Sequence, residues 1–354
     1  MGVLVLFDLN PKENVLDLYN RKRELDSLSS SLKNGERLII IYGLRRVGKT
    51  SLIHSFLNKR EFPYILLDMK EIFYASGSIP MKALYNSIVK EFVKFTEKVG
   101  EDADIGLDGN FKLTDLLKGI NEWCMARKLV FIIAFDEAQY LRFGGRVRYD
   151  GIIAWSIDNL SNIIFVLTGS EAGMLKEFLR YEDTEAPLYG RFRNEIYLNR
   201  FTKEEGIGFL KRGFKEAGKH ISSHELDDVI KNLDGISGWL TYYGYYRTKK
   251  GMAHEKAVAQ VFNEGSQLTL KEIETLISRS RKRYIFILKA IVEGLDTWGV
   301  IKAYVGSNAG EISDTVLNSL LQMLVKLGIA EKLGSDKYVI SDPMAIEAIK
   351  RLRA

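Results

Sequence analysis

Blocks of apolar residues separated by helical patterns run through the first 200 positions of the chain. Leu38-Ile-Ile-Ile-Tyr42 is a continuous apolar run of the length of a buried strand. Pro63–Met69, Leu129–Phe135 and Asn162–Thr168 repeat that pattern, and Glu195–Leu198 adds a short fifth run. Helices are predicted between them. Ser51–Leu57 has apolar residues at helical spacing, and Met81–Lys98 aligns Leu84, Ile88, Phe92 and Phe95 along one side. Thr114–Arg127 is a further helix, and Ile105–Leu113 reads as a small surface hairpin around Asp108-Gly109. Apolar strands alternating with helices predict an α/β fold with a parallel sheet covered on both faces.

After Asn199 the strand pattern stops. Helices are expected over Thr202–Ala217, Ser223–Asn232, Gly238–Lys249 and His254–Glu264, forming an all-α subdomain. The basic stretch Arg279-Ser-Arg-Lys-Arg283 opens a last unit, with Tyr284, Ile287, Leu288 and Ile291 on one helix face. A second helix carries Leu317, Leu320, Leu321, Leu324 and Val325, an i, i+3, i+4, i+7, i+8 stripe. Gly328 stops it, and Ala330–Ile340 reads as a hairpin turning at Gly334-Ser-Asp. Helices followed by a hairpin predict a winged helix-turn-helix. The expected division is therefore 1–200, 201–278 and 279–354.

Composition narrows the classes. Hydrophobic content of 46% with 27% charged residues suits a globular protein, and no apolar stretch reaches bilayer-spanning length. The apolar Met1–Phe7 lacks a basic leader and a cleavage site, so no signal peptide is expected. A lone cysteine, Cys124, excludes an internal disulfide and favours a cytoplasmic location; within its helix it reads as a small buried apolar group. The formal charge of +5 over 354 residues permits contact with nucleic acid without predicting it. His220 and His224 stand four apart, but Ser222-Ser-His-Glu225 reads better as a helix-capping box than as a metal site.

The chemistry begins directly after the first strand. Gly43-Leu44-Arg45-Arg46-Val47-Gly48-Lys49-Thr50 fits G-x-x-x-x-G-K-[ST] and is followed by Ser51 and a helix. Glycines let successive N–H groups converge on phosphate oxygens, and the helix N-terminus adds partial positive charge. Lys49 would reach the β- and γ-phosphates, and the Thr50 hydroxyl would hold Mg²⁺. These features predict a nucleoside triphosphate site.

Phe131-Ile-Ile-Ala-Phe-Asp136-Glu137 is the second signal. An apolar strand ending in two carboxylates places Asp136 at the metal and Glu137 beside the attacking water, which separates an ATPase from a nucleotide kinase. Thr168-Gly-Ser170 ends another strand; if that strand lies between those carrying Lys49 and Asp136, Thr168 or Ser170 would sense the γ-phosphate. Arg191, in Pro187-Leu-Tyr-Gly-Arg-Phe-Arg193, could offset transition-state charge.

Together these residues resemble the archaeal ATPase family, a branch of the AAA+ and STAND-type ATPases, over nearly the whole chain. Leu18-Tyr-Asn-Arg21-Lys-Arg-Glu24-Leu25 looks like its opening signature, and Tyr338-Val-Ile-Ser-Asp342-Pro343 resembles its ending after the wing. The resemblance implies a P-loop core of AAA+/ASCE type, a helical lid and a C-terminal winged helix, with ATP, ADP and Mg²⁺ as cofactors. It also implies that Asn20 and Arg21 lie near the adenine and that Arg191 acts as an arginine finger or sensor. The chain departs from the family at Gly235-Ile-Ser237-Gly-Trp239-Leu240, where Gly-x-Pro is usual.

The functional expectation is an ATP-hydrolysing switch that moves its winged helix between nucleotide states. The alternative is an initiator-like ATPase that contacts duplex DNA. The expected recognition helix exposes Asp314, Asn318, Ser319 and Gln322 and gains only Lys326, which favours a protein partner over DNA.

Overall fold

A computed structural model describes residues 6–59, 62–102, 111–278 and 280–353. The hairpin expected around Asp108-Gly109 lies outside the described residues. Contacts gather the chain into two compact units. One comprises Pro11–Gly43 and Lys49–Leu198; the other comprises Met1–Asn10, Leu44–Gly48 and Asn199–Ala354.

The first unit is the α/β one. Its parallel strands are β1 (Leu38–Gly43), β2 (Tyr64–Asp68), β3 (Phe131–Asp136), β4 (Ile163–Gly169) and β5 (Asn194–Leu198), in the order β2-β3-β4-β1-β5. β4 therefore lies between β1 and β3, as the reading of Thr168 required. Every residue of β3 and β4 is buried, which is why their sequences are apolar without alternation. The helices are α1 (Lys22–Lys33), α2 (Lys49–Leu57), α3 (Met69–Ser76), α4 (Met81–Val99), α5 (Leu113–Arg127), α6 (Tyr149–Asn159) and α7 (Ala172–Leu179). Leu84, Ile88 and Phe92 of α4 join Leu116, Leu117 and Ile120 of α5 in one core with Phe131, Ile133 and Phe135 of β3. Cys124 is buried in that core, where burial pushes its thiol up to about 12.

Parallel pairing brings the carboxyl ends of the strands to one edge. The register sets Gly43 beside Leu198, Tyr42 beside Gly169, Phe135 beside Leu167 and Asp68 beside Asp136. Such an edge is where ligands bind in open parallel sheets.

The second unit holds α8 (Lys203–Glu216), α9 (Ser223–Leu233), α10 (Ser237–Thr248) and α11 (His254–Leu276). It continues with α12 (Arg281–Val292), α13 (Trp298–Ala309), α14 (Asp314–Lys326), the antiparallel pair β6 (Glu331–Leu333) and β7 (Lys337–Val339), and α15 (Pro343–Arg351). Thr202 with Glu205 and Ser222 with Glu225 form capping boxes at α8 and α9. The second box accounts for the sequence around His224, and no cluster of metal-ligating side chains occurs among the described residues. The apolar start of the chain has a structural use as well. Phe7 is fully buried between Gly213 and Gly244, where a Cβ on either glycine would come within 2.3 Å of its ring.

α11 extends twelve residues past its expected end at Glu264. Gly265 looks like a stop but lies mid-helix, where a Cβ would meet the Met344 side chain at 2.8 Å and the Trp239 ring at 3.1 Å. A glycine there permits close helix packing. No described helix is long and apolar enough to cross a membrane.

Candidate active site

Lys49 begins α2 directly after the glycine loop and is 5% exposed. Its Nζ donates to the Gly43 carbonyl at 2.9 Å, which holds the cation against the mouth of β1. Positive φ at Arg46 (63°) and Gly48 (97°) gives the loop a tight curl, and at Gly48 the conformation favours glycine. The Thr50 hydroxyl donates to Asp136 Oδ2 at 2.8 Å. Asp136 Oδ1 accepts from the buried Thr168 hydroxyl, and the Glu137 N–H reaches Thr168 Oγ1 and Asp136 Oδ1 at 3.2 Å each. The structure thus brings Gly43, Lys49, Thr50, Asp136, Glu137 and Thr168 to one edge of the sheet.

Thr168 is turned toward Asp136 and the Glu137 backbone. Ser170 is turned toward the Glu137 carboxylate, with Oγ at 2.6 Å and N–H at 3.2 Å from Oε2. Thr168 thereby anchors the Asp136 carboxylate, while Ser170 holds that of Glu137. Thr50 and Asp136 present hard oxygen donors side by side, a donor set that fits Mg²⁺ with its remaining positions left to phosphate and water.

Two carboxylates near this edge were not singled out in the sequence. Asp68 ends β2 in register with Asp136, and its Oδ1 accepts from the Lys70 and Glu71 N–H groups at 2.8 and 3.3 Å. The apolar residues Tyr64–Leu67 are followed by an acid just as those before Asp136 are, so this signal was readable. Glu171 is fully buried and paired with Arg142 at 3.2 Å.

The adenine-side expectation falls on a segment tied to α2. The Lys12 N–H donates to Ser51 Oγ at 3.1 Å, Ser55 Oγ donates to the Lys12 carbonyl at 3.0 Å, and Asn58 Nδ2 donates to the Glu13 carbonyl at 3.1 Å. Asn20 follows with φ of 52°, and Arg21 caps α1, buried and paired with Glu24 at 3.4 Å.

Arg191 is not brought to the site. It precedes β5, whose first residue pairs with Ile39 at the start of β1. The length of β5, about 3.3 Å per residue, separates it from the Gly43 edge. There its guanidinium is held by Asp158, at 3.0 Å from Nε to Oδ1, and by the Pro187 carbonyl. An arginine-finger role within this chain is therefore corrected by strand direction.

In the second unit, Leu44, Arg45, Arg46, Val47 and Gly48 are gathered with the helices, and Val47 is buried. The Arg46 carbonyl accepts from Ser237 Oγ at 3.1 Å and from the Gly238 N–H at 2.9 Å. A Cβ at Gly238 would fall 2.8 Å from Arg46 Cβ. The Arg46 guanidinium makes two bonds to Glu272, at 3.0 and 3.1 Å, and lies 4.6 Å from the Trp239 ring centroid; Arg45 joins Glu272 at 3.4 Å. Trp239 is fully buried and donates to Asp342 Oδ1 at 3.0 Å. The departure at Ser237 thus has a physical use. Position 237 is the first of α10, where proline is tolerated, and serine supplies a donor to the loop instead. No pattern in the sequence pointed to Glu272.

A family model described as an ATPase domain predominantly from Archaea matches residues 18–242 of this chain. The chain belongs to that family. A model of the MCM protein C-terminal winged helix-turn-helix domain matches residues 278–341. Among solved structures, a Walker-type ATPase of Pyrococcus abyssi is 34% identical, with 98% of this chain and 99% of that one covered and a TM-score of 0.88. The ORC2 protein of Aeropyrum pernix, solved in ADPNP and ADP complexes, is 16% identical with a TM-score of 0.67 over 98% and 96% of the two chains, a likeness of fold. An uncharacterised protein of Methanocaldococcus jannaschii is 23% identical over 331 residues, which are 91% of this chain but only 66% of that protein's own length. Membership of the archaeal ATPase family, with the fold of AAA+-like core, helical lid and winged helix, carries with it the expectation of nucleotide binding.

Proposed function

We propose that this archaeal-family ATPase binds ATP with Mg²⁺, hydrolyses it to ADP and phosphate, and works as a switch whose nucleotide state acts on its lid and winged helix. The observation that carries this is the chain of hydrogen bonds from Thr50 through Asp136 to Thr168, with Glu137 next in sequence. Thr50 and Asp136 would hold Mg²⁺, which when bound supplies charge to the β- and γ-phosphate oxygens. Lys49 neutralises phosphate charge from the mouth of β1. Glu137 orients the attacking water and accepts its proton, and Thr168 keeps Asp136 and the Glu137 backbone in place. Asn20 and Arg21 are assigned to the adenine side. Positioning and charge account for most of what phosphoryl transfer asks of a protein.

The contacts of Arg45 and Arg46 with Glu272, Ser237, Gly238 and Trp239 support the switching part of this reading. They couple the loop that follows phosphate to α10 and α11. For the winged helix we favour a protein partner. Asp314 is engaged by Lys302 at 2.5 Å and Asn318 by Trp298 Nε1 at 2.7 Å, which leaves α14 little with which to read bases.

Thermal unfolding with ATP, ADP and GTP, each with and without Mg²⁺, tests the ligand. A nucleotide at about a hundred times its dissociation constant stabilises the folded chain by about 2.7 kcal/mol. A larger shift with ATP than with GTP is expected; no shift with any nucleotide overturns the reading.

A further inference from the structure

A cavity of about 50 Å³ lies inside the second unit, and every residue that lines it belongs to that unit. Its walls are of two kinds. Ile236, Ile273, Leu276, Leu327 and Ile329 are apolar, while Arg45, Arg46, Thr269, Ser341 and Asp342 bring charge and hydroxyls. Glu331 also lines it and is met by Arg200 at 3.9 Å. Thr269, on α11, is 6% exposed, and its Oγ1 has no hydrogen-bond partner. A buried hydroxyl left unpaired is unfavourable, so valine would serve position 269 better unless something in the cavity meets it. Asp342 accepts from Trp239 Nε1 and the Met344 N–H, and both bonds fall on Oδ1. Burial holds its carboxyl above the usual range, the mark of an acid short of positive partners. The Arg46 guanidinium stands over the ring of the same tryptophan, 4.6 Å from its centroid. Glu272 takes two of its N–H donors, which leaves further donors on the fork. One aromatic ring thus carries a cation and an anion beside a single small cavity.

We propose that this cavity binds a small aliphatic α-amino acid as its zwitterion, with the carboxylate on Arg46 and the ammonium on Asp342 and Thr269. Simple ions serve the site badly: an anion would meet Asp342, and a cation would meet Arg46. A carboxylate suits the fork of a guanidinium. An ammonium supplies donors for both the Asp342 carboxylate and the unpaired Thr269 hydroxyl. Size agrees as well, since 50 Å³ has room for about three to five waters, close to the heavy-atom count of the smallest amino acids. Water would meet Thr269 but would leave the apolar wall wet, and an aliphatic side chain covers part of that wall. The inference is separate from the nucleotide reading, and its test needs no ATP.

Isothermal calorimetry of the full chain with L-alanine tests it, with methylammonium chloride and sodium acetate as comparisons. A dissociation constant of about 1 mM or tighter is expected for L-alanine, within the ceiling for a ligand of about six heavy atoms. Methylammonium and acetate each carry one end, and each should bind at least about tenfold more weakly. Thr269→Val is the decisive variant, because it keeps the shape and removes only the hydroxyl. It should weaken L-alanine about tenfold while leaving the unfolding temperature of the empty chain level or higher. Asp342→Asn should weaken binding by at least as much. Acetate or methylammonium binding as tightly as L-alanine makes this a site for a simple ion and overturns the proposal. So does full-strength binding of L-alanine by both variants, which would place it elsewhere. No heat and no thermal shift with L-alanine means that water alone fills the cavity, and that too overturns it. Should Asp342→Asn fail to fold, Thr269→Val decides the matter by itself.

Discussion

The Thr50 hydroxyl donates to Asp136 Oδ2 at 2.8 Å, joining the end of the phosphate loop to the end of β3 across 86 positions of sequence. Parallel register makes this contact. β4 separates β1 from β3, and its Thr168 hydroxyl closes the gap by bonding to the other oxygen of Asp136. Asp136→Asn keeps the shape and one acceptor but loses charge. ATP alone should still shift the unfolding temperature of that variant, and the extra shift on adding Mg²⁺ should vanish. An undiminished Mg²⁺ increment would remove Asp136 from the metal site.

Glu272 holds two loop arginines, and its side chain and that of Arg46 are each less than a quarter exposed. Glu272→Gln should cost about 1 kcal/mol, between the value of a surface pair and that of a buried one. A double-mutant cycle with Arg46→Met reads the pair itself. A coupling of about 0.5–1.5 kcal/mol is expected, and additive losses would mean that the two side chains do not interact in solution.

Gly235 lies at φ 64°, and a Cβ there would sit 2.1 Å from the Phe201 carbonyl oxygen. Left-handed backbone and close approach act together at this position. Gly235→Ala should destabilise the chain by more than about 2 kcal/mol in denaturant unfolding. A loss under half that value would mean that the α8–α10 connection yields easily.

Asp342 accepts from Trp239 Nε1 and from the Met344 N–H, at 3.0 and 2.9 Å. Its carboxyl is pushed above the usual range chiefly by burial, with Glu272 adding to the rise and the two donors and Arg46 opposing it. An acid raised in the folded chain binds protons more readily when folded. The folded state therefore loses stability as pH climbs through the window above the ordinary aspartate value. Asp342→Asn keeps an acceptor and removes that loss. It should be more stable than the unsubstituted chain at pH 7, with the advantage shrinking toward zero as pH falls to about 4. An advantage independent of pH would contradict the assignment.

Much of the fold is legible in the sequence. Leu38–Tyr42 and Leu129–Phe135 are apolar throughout because strands covered on both faces have no polar side to show, so their place in a parallel sheet was legible. Asp136 and Glu137 stood out because acids end an otherwise apolar run. Arg191 precedes Glu195–Leu198 in the sequence, but only the parallel β1–β5 register shows that this end of the strand lies away from Gly43. The continuation of α11 past Glu264 was not legible, because the packing of Gly265 against Met344 and Trp239 joins residues distant in sequence. Glu272 meets Arg45 and Arg46 through the continuation of α11, and that contact leaves no periodic trace.

The central claim is that Glu137 turns bound ATP into hydrolysed ATP. Phosphate release from Mg-ATP by the unsubstituted chain and by Glu137→Gln, alongside the thermal shift each gains from ATP, tests it most directly. The account predicts equal thermal shifts and a rate lower by about a hundredfold or more in the variant, the contribution of a positioned base. Equal rates in the two proteins, or no phosphate released by the unsubstituted chain while it binds ATP, would contradict it.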